Sequence, residues 1–331
     1  MENLYLYIVI LLAVLAIGDL IVGVSNDAVN FLNSPIGSKA ISFLNIMILA
    51  SFGIALGAIF SSGMMEVARK GIFNPEAFTF QEIIYIFMAV MITDILLLDF
   101  FNTLGMPTST TVSIVFELLG AAIVMALIKI SVDGAGFDAL SNYINTTKAT
   151  KIIFGILLSV VVAFSVGAIV QWVSRYLLTF YIEETSPLKK ALFGGISLAA
   201  LSNFILIKGI KGTEYASISF SFLGDQTIKE FLNNELILVN GVNIVLWYII
   251  SYALIRFTTV NIFKLIIAIG TFALALAFAG NDLVNFIGVP IAAFQSYEAW
   301  ALSGVAAENY QMNVLASKVP TPTLFLFGSG V

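Results

Sequence analysis

Long apolar runs, broken by short polar connections, set the pattern of this chain. Uninterrupted runs cover residues 4–24, 40–60, 81–101, 107–130, 152–181, 191–208, 236–257 and 261–279. An α-helix needs about 20 mostly apolar residues to cross the hydrocarbon core of a bilayer. Lipid offers the backbone no hydrogen-bond partner, so only helices and closed barrels span it. The runs are continuous, whereas barrel strands would alternate over roughly ten residues. The pattern predicts an all-α, polytopic membrane helix bundle. The run at 4–24 is too long for a signal-peptide core, lacks a basic n-region and has no small-residue cleavage site, so it reads as a retained first membrane helix. A last run opens near Pro320 and stops at Val331, partway through a crossing. That ending predicts a chain truncated relative to a longer protein; a terminal segment lying at the interface is the plainer alternative.

Composition fixes the setting. Of 331 residues, 60% are hydrophobic and 11% charged, with a mean hydropathy of +1.02. Soluble domains carry about 25% charged residues, so lipid must replace water around most of this chain. The expectation is an integral, multi-pass protein of the cell (inner) membrane. The net charge of −5 is scattered, which gives no footprint for nucleic acid. Cysteine and histidine are both absent, which removes thiol chemistry, the commonest metal ligand and the commonest general base. Lys and Arg are spread over most connections, so charge asymmetry does not fix the orientation.

One word occurs twice. Ser25-Asn26-Asp27-Ala28-Val29-Asn30-Phe31 returns as Gly280-Asn281-Asp282-Leu283-Val284-Asn285-Phe286, in register as far as Pro35-Ile36 and Pro290-Ile291. Both copies follow a long apolar run, and seven expected crossings separate the ends of those runs. An odd number turns the second copy over, which is the mark of an inverted repeat with a site near the midplane. The expected organisation is a first repeat over 1–130, connecting helices over 131–260, and the start of a second, incomplete repeat over 261–331. Asp27 and Asp282 lie at membrane depth with no Lys or Arg within ten residues. A carboxylate there costs several kcal/mol unless it is paired, and a captured cation is one partner. Carboxylate and amide oxygens suit hard cations such as Na⁺. Pro35 and Pro290 are expected to interrupt the helices that follow, freeing backbone groups in a cavity. The alternative is that Asn and Asp merely cap helix ends.

A second word, Gly105-Met106-Pro107-Thr108-Ser109-Thr110-Thr111-Val112, sits between two apolar runs. Proline followed by hydroxyl residues reads as a helix N-terminus, whose free N–H groups can bind an anion. A plain Ser/Thr cap explains the same residues.

Together these words resemble the PiT family of inorganic phosphate transporters, which carries a duplicated G-A-N-D-V-A-N-type motif and a P-V-S-T-T-H-type motif. The resemblance runs from Gly23 to about Ala293. It implies ion-coupled symport of phosphate by two inverted repeats with interrupted or re-entrant helices, not an enzyme. Carried over by position, Asn26, Asn30, Ser109, Thr110, Thr111, Asn281 and Asn285 would bind phosphate. Asp27 and Asp282 would hold Na⁺, with Asn26 and Asn281 as further ligands. The expected partners are inorganic phosphate, Na⁺ or H⁺ and the lipid bilayer, with a homo-oligomer left open and no cofactor beyond the coupling ion. The chain departs from the pattern at Val112, where the family has histidine, and at Ile54, where a glutamate is common. Pro320-Thr321-Pro322-Thr323 lacks the second hydroxyl run, so that copy is expected beyond residue 331. Asp94 and Asp99 lie in one apolar run and read equally as functional groups or as a polar helix end. The alternatives are transport of another oxyanion such as sulfate, an intramembrane aspartyl-type enzyme, and a phosphate sensor without flux.

Overall fold

A computed structural model describes residues 2–59, 72–210, 218–219, 226–316 and 328. Pro320-Thr321-Pro322-Thr323 lies outside them. The described residues form twelve α-helices: α1 (Glu2–Asp27), α2 (Val29–Ser38), α3 (Phe43–Ile59), α4 (Phe80–Thr103), α5 (Thr110–Asp133), α6 (Leu140–Tyr143), α7 (Thr146–Leu178), α8 (Pro187–Ile210), α9 (Ile228–Asn234), α10 (Leu236–Phe257), α11 (Ile262–Asn281) and α12 (Leu283–Ala301). Only isolated bridges, and no strand, occur among these residues. Seven helical stretches are long and apolar enough to cross a membrane, and α3, at 17 residues, is a shorter apolar helix.

The first and last stretches run further than the apolar pattern predicts. One covers Asn3–Ser38 and the other Ile262–Ala301. The interruption in each is a one-residue break, at Ala28 and at Asp282, inside the repeated word itself. Pro35 and Pro290 do not end helices; they lie within α2 and α12. A membrane helix tolerates proline because neighbouring helices and local adjustments re-satisfy the freed groups.

The chain divides into two compact units built from non-contiguous stretches. It passes from one to the other between Val29 and Asn30, and again between Gly280 and Asn281. The first unit holds Met1–Val29, Ser61–Leu157 and Asn281–Gly330. In it α1, α4, α5 and α12 pack on one another. Their far ends are locked by aromatic rings: Phe80 stacks on Trp300 at 4.6 Å, and Tyr5 meets both rings edge-on. Thr79 and Glu82 form a capping box that starts α4, and Glu82 also accepts an ion pair from Lys129 at 2.9 Å. Reciprocal side-chain and backbone bonds of this kind satisfy the orphan N–H groups of a helix start. α5 begins at a Ser109 cap and ends on Gly134, whose φ of 65° suits a left-handed helix stop.

The second unit holds Asn30–Phe60 and Leu158–Gly280, with Val331. Here α3 presents Gly53 and Gly57 to α11, where a Cβ at either would overlap the backbone of Phe272 or Leu276. Small residues four apart let membrane helices approach this closely. α8 and α10 are joined by a polar ladder in which Asn243 donates to Ser202 at 2.9 Å and to Asn203 at 2.7 Å, and the Trp247 indole donates to Ser202 at 3.0 Å. Without water, such interhelical hydrogen bonds supply much of the specificity of association. Along α7 apolar side chains point outward, among them Val160, Val161, Phe164 and Ile169. Lipid is the solvent that such a surface needs.

Candidate functional site

The start of α5 gathers residues from both copies of the repeated word, and Asp27, Thr110, Thr111, Asp282 and Asn285 all belong to the first unit. Thr110 is buried and donates its hydroxyl proton to Asp27 Oδ2 at 2.9 Å. Its neighbour Thr111 donates to Asp282 Oδ1 at 3.0 Å. Two acids far apart in sequence therefore end on consecutive hydroxyls of a single helical turn. Asn285 of the second copy donates to Thr111 Oγ1 at 2.9 Å and reaches Asp282 Oδ1 at 3.4 Å. Asp27 is 3% exposed and Asp282 is half-buried. Among the described residues no Lys or Arg forms an ion pair with Asp27.

Capping does not account for the acids. Asp282 occupies the N-cap position of α12, yet its side chain makes no cap bond. Its carboxylate points to α5 instead. Ser109, in contrast, is a plain cap: its exposed hydroxyl accepts from the Val112 N–H at 3.3 Å. The N–H groups of Thr110 and Thr111 lie in the first helical turn, where no intrahelical acceptor exists. They add positive potential beside the two carboxylates.

Asn26 has a different task. It donates to Asn102 Oδ1 at 2.8 Å and to the Met106 carbonyl at 3.1 Å, and it accepts from the Thr108 N–H at 2.7 Å. Both of its N–H bonds are thus committed to the 102–108 turn. Asn102 continues the clamp by donating to the Val22 carbonyl at 2.8 Å. This amide escapes a reading built on repeated words, because it lies at the end of α4 and belongs to neither motif. A polar residue amid apolar sequence, three before the glycine of a turn, is the signal that could have found it. Asn30 is exposed and belongs to the second unit. The Asn281 side chain lies outside the described part of the structure.

Aromatic packing repeats the pairing between the copies. In the register of the two words, position 23 corresponds to 278 and position 31 to 286. In the first unit the ring of buried Phe286 lies against Gly23, so closely that a Cβ there would overlap it. In the second unit Phe31 packs on Phe278, ring centres 5.3 Å apart. Each copy's phenylalanine thus sits on the other copy's residue at the matching place.

The donor set is two carboxylates, two hydroxyls, an amide and first-turn N–H groups. It is hard and oxygen-rich, and it suits a small cation beside a tetrahedral oxyanion. Among the described residues no group of three or more acidic, His or Cys side chains is arranged to hold a metal ion. A cation here would complete its shell with hydroxyl, amide and substrate oxygens.

Comparison with known proteins agrees with this chemistry. The model of the phosphate transporter family matches residues 23–330. "Putative phosphate permease PF1020" of Pyrococcus furiosus is 25% identical over 315 residues, covering 93% of this chain and 67% of that protein. "Putative phosphate permease TK2061" of Thermococcus kodakarensis is 25% identical over 323 residues, covering 93% and 68%. A solved structure titled "The sodium-dependent phosphate transporter" shares the fold with a TM-score of 0.65 and 22% identity, over 98% of this chain and 74% of that one.

Proposed function

The chain belongs to the phosphate transporter family, and from that premise we propose that it carries inorganic phosphate across the membrane together with Na⁺, as a symporter. Membership in a family of transporters sets aside the intramembrane aspartyl-type enzyme. The observation that supports symport is the convergence of Asp27 and Asp282 on Thr110 and Thr111. Two carboxylates facing one helix start inside lipid repel each other and repel an arriving anion. A cation held by both removes the two penalties at once, and it gives the anion a positive partner. Neither ion is stable in the site alone, which is the physical content of coupling.

In this reading Asp27 and Asp282 hold Na⁺. The first-turn N–H groups of Thr110 and Thr111 and the Ser109 hydroxyl hold phosphate, joined by the Thr110 and Thr111 hydroxyls and the Asn285 amide once Na⁺ takes over the two carboxylates. Asn30 and Asn281 enter the phosphate set on the family resemblance alone. Asn26 keeps the 102–108 turn in place and lends its carbonyl side. The chain leaves one compact unit for the other beside each repeated word. Ion binding at those words is therefore well placed to bias alternating access by two inverted repeats. H⁺ in place of Na⁺, and sulfate in place of phosphate, are outcomes of the test. Purified protein in proteoliposomes takes up labelled phosphate when an inward Na⁺ gradient is imposed at equal pH, and unlabelled sulfate does not compete. Uptake driven equally well by a pH gradient without Na⁺ would make the coupling ion a proton, and the absence of uptake under either gradient would reject symport.

A further inference from the structure

Three acids stand together deeper in the first unit, apart from the repeated words: Asp19 on α1, Asp94 on α4 and Glu117 on α5. Asp19 and Asp94 are both 0% exposed. The Ser113 hydroxyl lies 2.6 Å from Asp94 Oδ1 and 2.7 Å from Glu117 Oε1. Asp19 faces Asp94 and Glu117, and its carboxyl is near enough to Asp94 to share a hydrogen bond when one of them carries a proton. Among the described residues both oxygens of Asp19, Oδ2 of Asp94 and Oε2 of Glu117 are buried with no partner.

We propose that Asp19, Asp94 and Glu117 form a proton-binding site, separate from the Asp27–Asp282 pair, that keeps at least one carboxyl protonated at neutral pH. The proton inventory leads there. A serine hydroxyl has one hydrogen, so it donates to only one of the two carboxyl oxygens beside it. The other short contact requires a carboxyl O–H that donates to Ser113 Oγ. Asp19 adds a fully buried acid with no donor of its own, and a proton shared with Asp94 satisfies both. Three adjacent ionised carboxylates at membrane depth would be prohibitive, whereas protonation neutralises them and supplies the missing donors in one step.

Among the described residues no basic group intervenes. The helices packed on this cluster carry few other ionisable side chains. On α1 the next acid is Asp27, two turns on. α4 carries Glu82, Tyr85 and Asp99, the last two exposed. On α5, Lys129 is engaged with Glu82 at 2.9 Å and lies twelve residues, about 18 Å of helix, beyond Glu117. Asp133 lies further still. α12 contributes Asp282 at its start, then Tyr297 and exposed Glu298 some four turns later. Three acids that could hold a metal ion would have to converge on one point, and no described group does so. The proton is the ligand that the geometry fits. A cleft of about 600 Å³ between α4 and α5, lined by Thr108, Ser113 and Glu117 among others, brings the outermost acid to an open surface. Glu117 is half-buried there, and Ser113 links it to Asp94 inside.

Infrared spectroscopy of the whole protein in lipid reads this directly, without any transport assay. The expected result is a protonated-carboxyl C=O band at neutral pH that shifts on H/D exchange. It should lose one carboxyl's intensity in Asp94→Asn or Glu117→Gln, and it should not change when Na⁺ is added at constant pH. A wild-type spectrum without that band, a band that survives both substitutions together, or a band removed by Na⁺ would each overturn the proposal. The wild-type spectrum decides even if the double variant fails to fold. Where the phosphate-uptake reading holds, Glu117→Gln should also flatten the dependence of uptake on pH while its dependence on Na⁺ persists. An infrared failure with normal uptake, or the reverse, tells the two readings apart.

Discussion

Two acidic neighbourhoods share the first unit, and they are satisfied in opposite ways. Asp27 and Asp282 each receive a hydroxyl proton from α5, and Asn285 braces the second of them. Asp94 and Glu117 share one serine hydroxyl, Asp19 has no donor, and four carboxyl oxygens of the three are buried without a partner among the described residues. In the proposed function the first arrangement offers lone pairs and a helix start to a cation and an anion together. The second presents acceptors with too few hydrogens, which is a demand for protons. Burial alone does not define what a membrane carboxylate binds; the count of donors around it does.

The sharpest way to break this contrast is to neutralise one acid of the first pair. Asp27→Asn and Asp282→Asn should each abolish Na⁺-dependent phosphate uptake while the protein still reaches the membrane. Full uptake by either variant would refute a shared cation. Next in size is removal of the hydroxyl donors. A hydrogen bond to a charged group is worth about 1.5–3 kcal/mol, so Thr110→Val and Thr111→Val should each lower uptake about 10- to 100-fold. Similar losses for the two would support the equivalence of the copies, and a loss confined to one would break it. Gly23→Ala tests the packing that brings the words together. Its Cβ meets the Phe286 ring, and overpacking of this kind costs about 1–3 kcal/mol. The expected outcome is a lower melting temperature in detergent, partly restored by Phe286→Leu. The smallest effect belongs to Asp99→Asn. Asp99 is exposed, and surface changes usually stay within about 0.5 kcal/mol, so uptake and melting should match wild type.

Much of the first neighbourhood was legible in the chain. The doubled word placed Asp27, Asp282 and Asn285 together before any coordinates, because repetition at membrane depth is hard to explain without a shared site. The hydroxyl run marked the helix start, although its three hydroxyls divide the work: Ser109 caps, while Thr110 and Thr111 reach the acids. The prolines misled, since a membrane helix continues through Pro35 and Pro290 and breaks instead at Ala28 and Asp282. The second neighbourhood was barely legible. Asp94 stood out as an acid in an apolar run, but nothing in its own segment separated it from Asp99. The two are five residues apart on α4 and so point to different faces, one buried and one exposed. Asp19 and Glu117 passed unremarked for the same reason. Each is a single acid in a long apolar helix, and only the packing of α1, α4 and α5 brings them to Asp94. The spans themselves followed from hydropathy, but their ends did not, because α1 and α11 are prolonged by α2 and α12 across a one-residue break.

The central claim is that one cation, held between Asp27 and Asp282, makes the phosphate site. Equilibrium binding of labelled phosphate to the solubilised protein across a Na⁺ titration tests it most directly. Phosphate affinity should rise with Na⁺ in the wild type and lose that dependence in both Asp27→Asn and Asp282→Asn. Phosphate affinity that is indifferent to Na⁺ in the wild type, or Na⁺ dependence that persists in either variant, would contradict it.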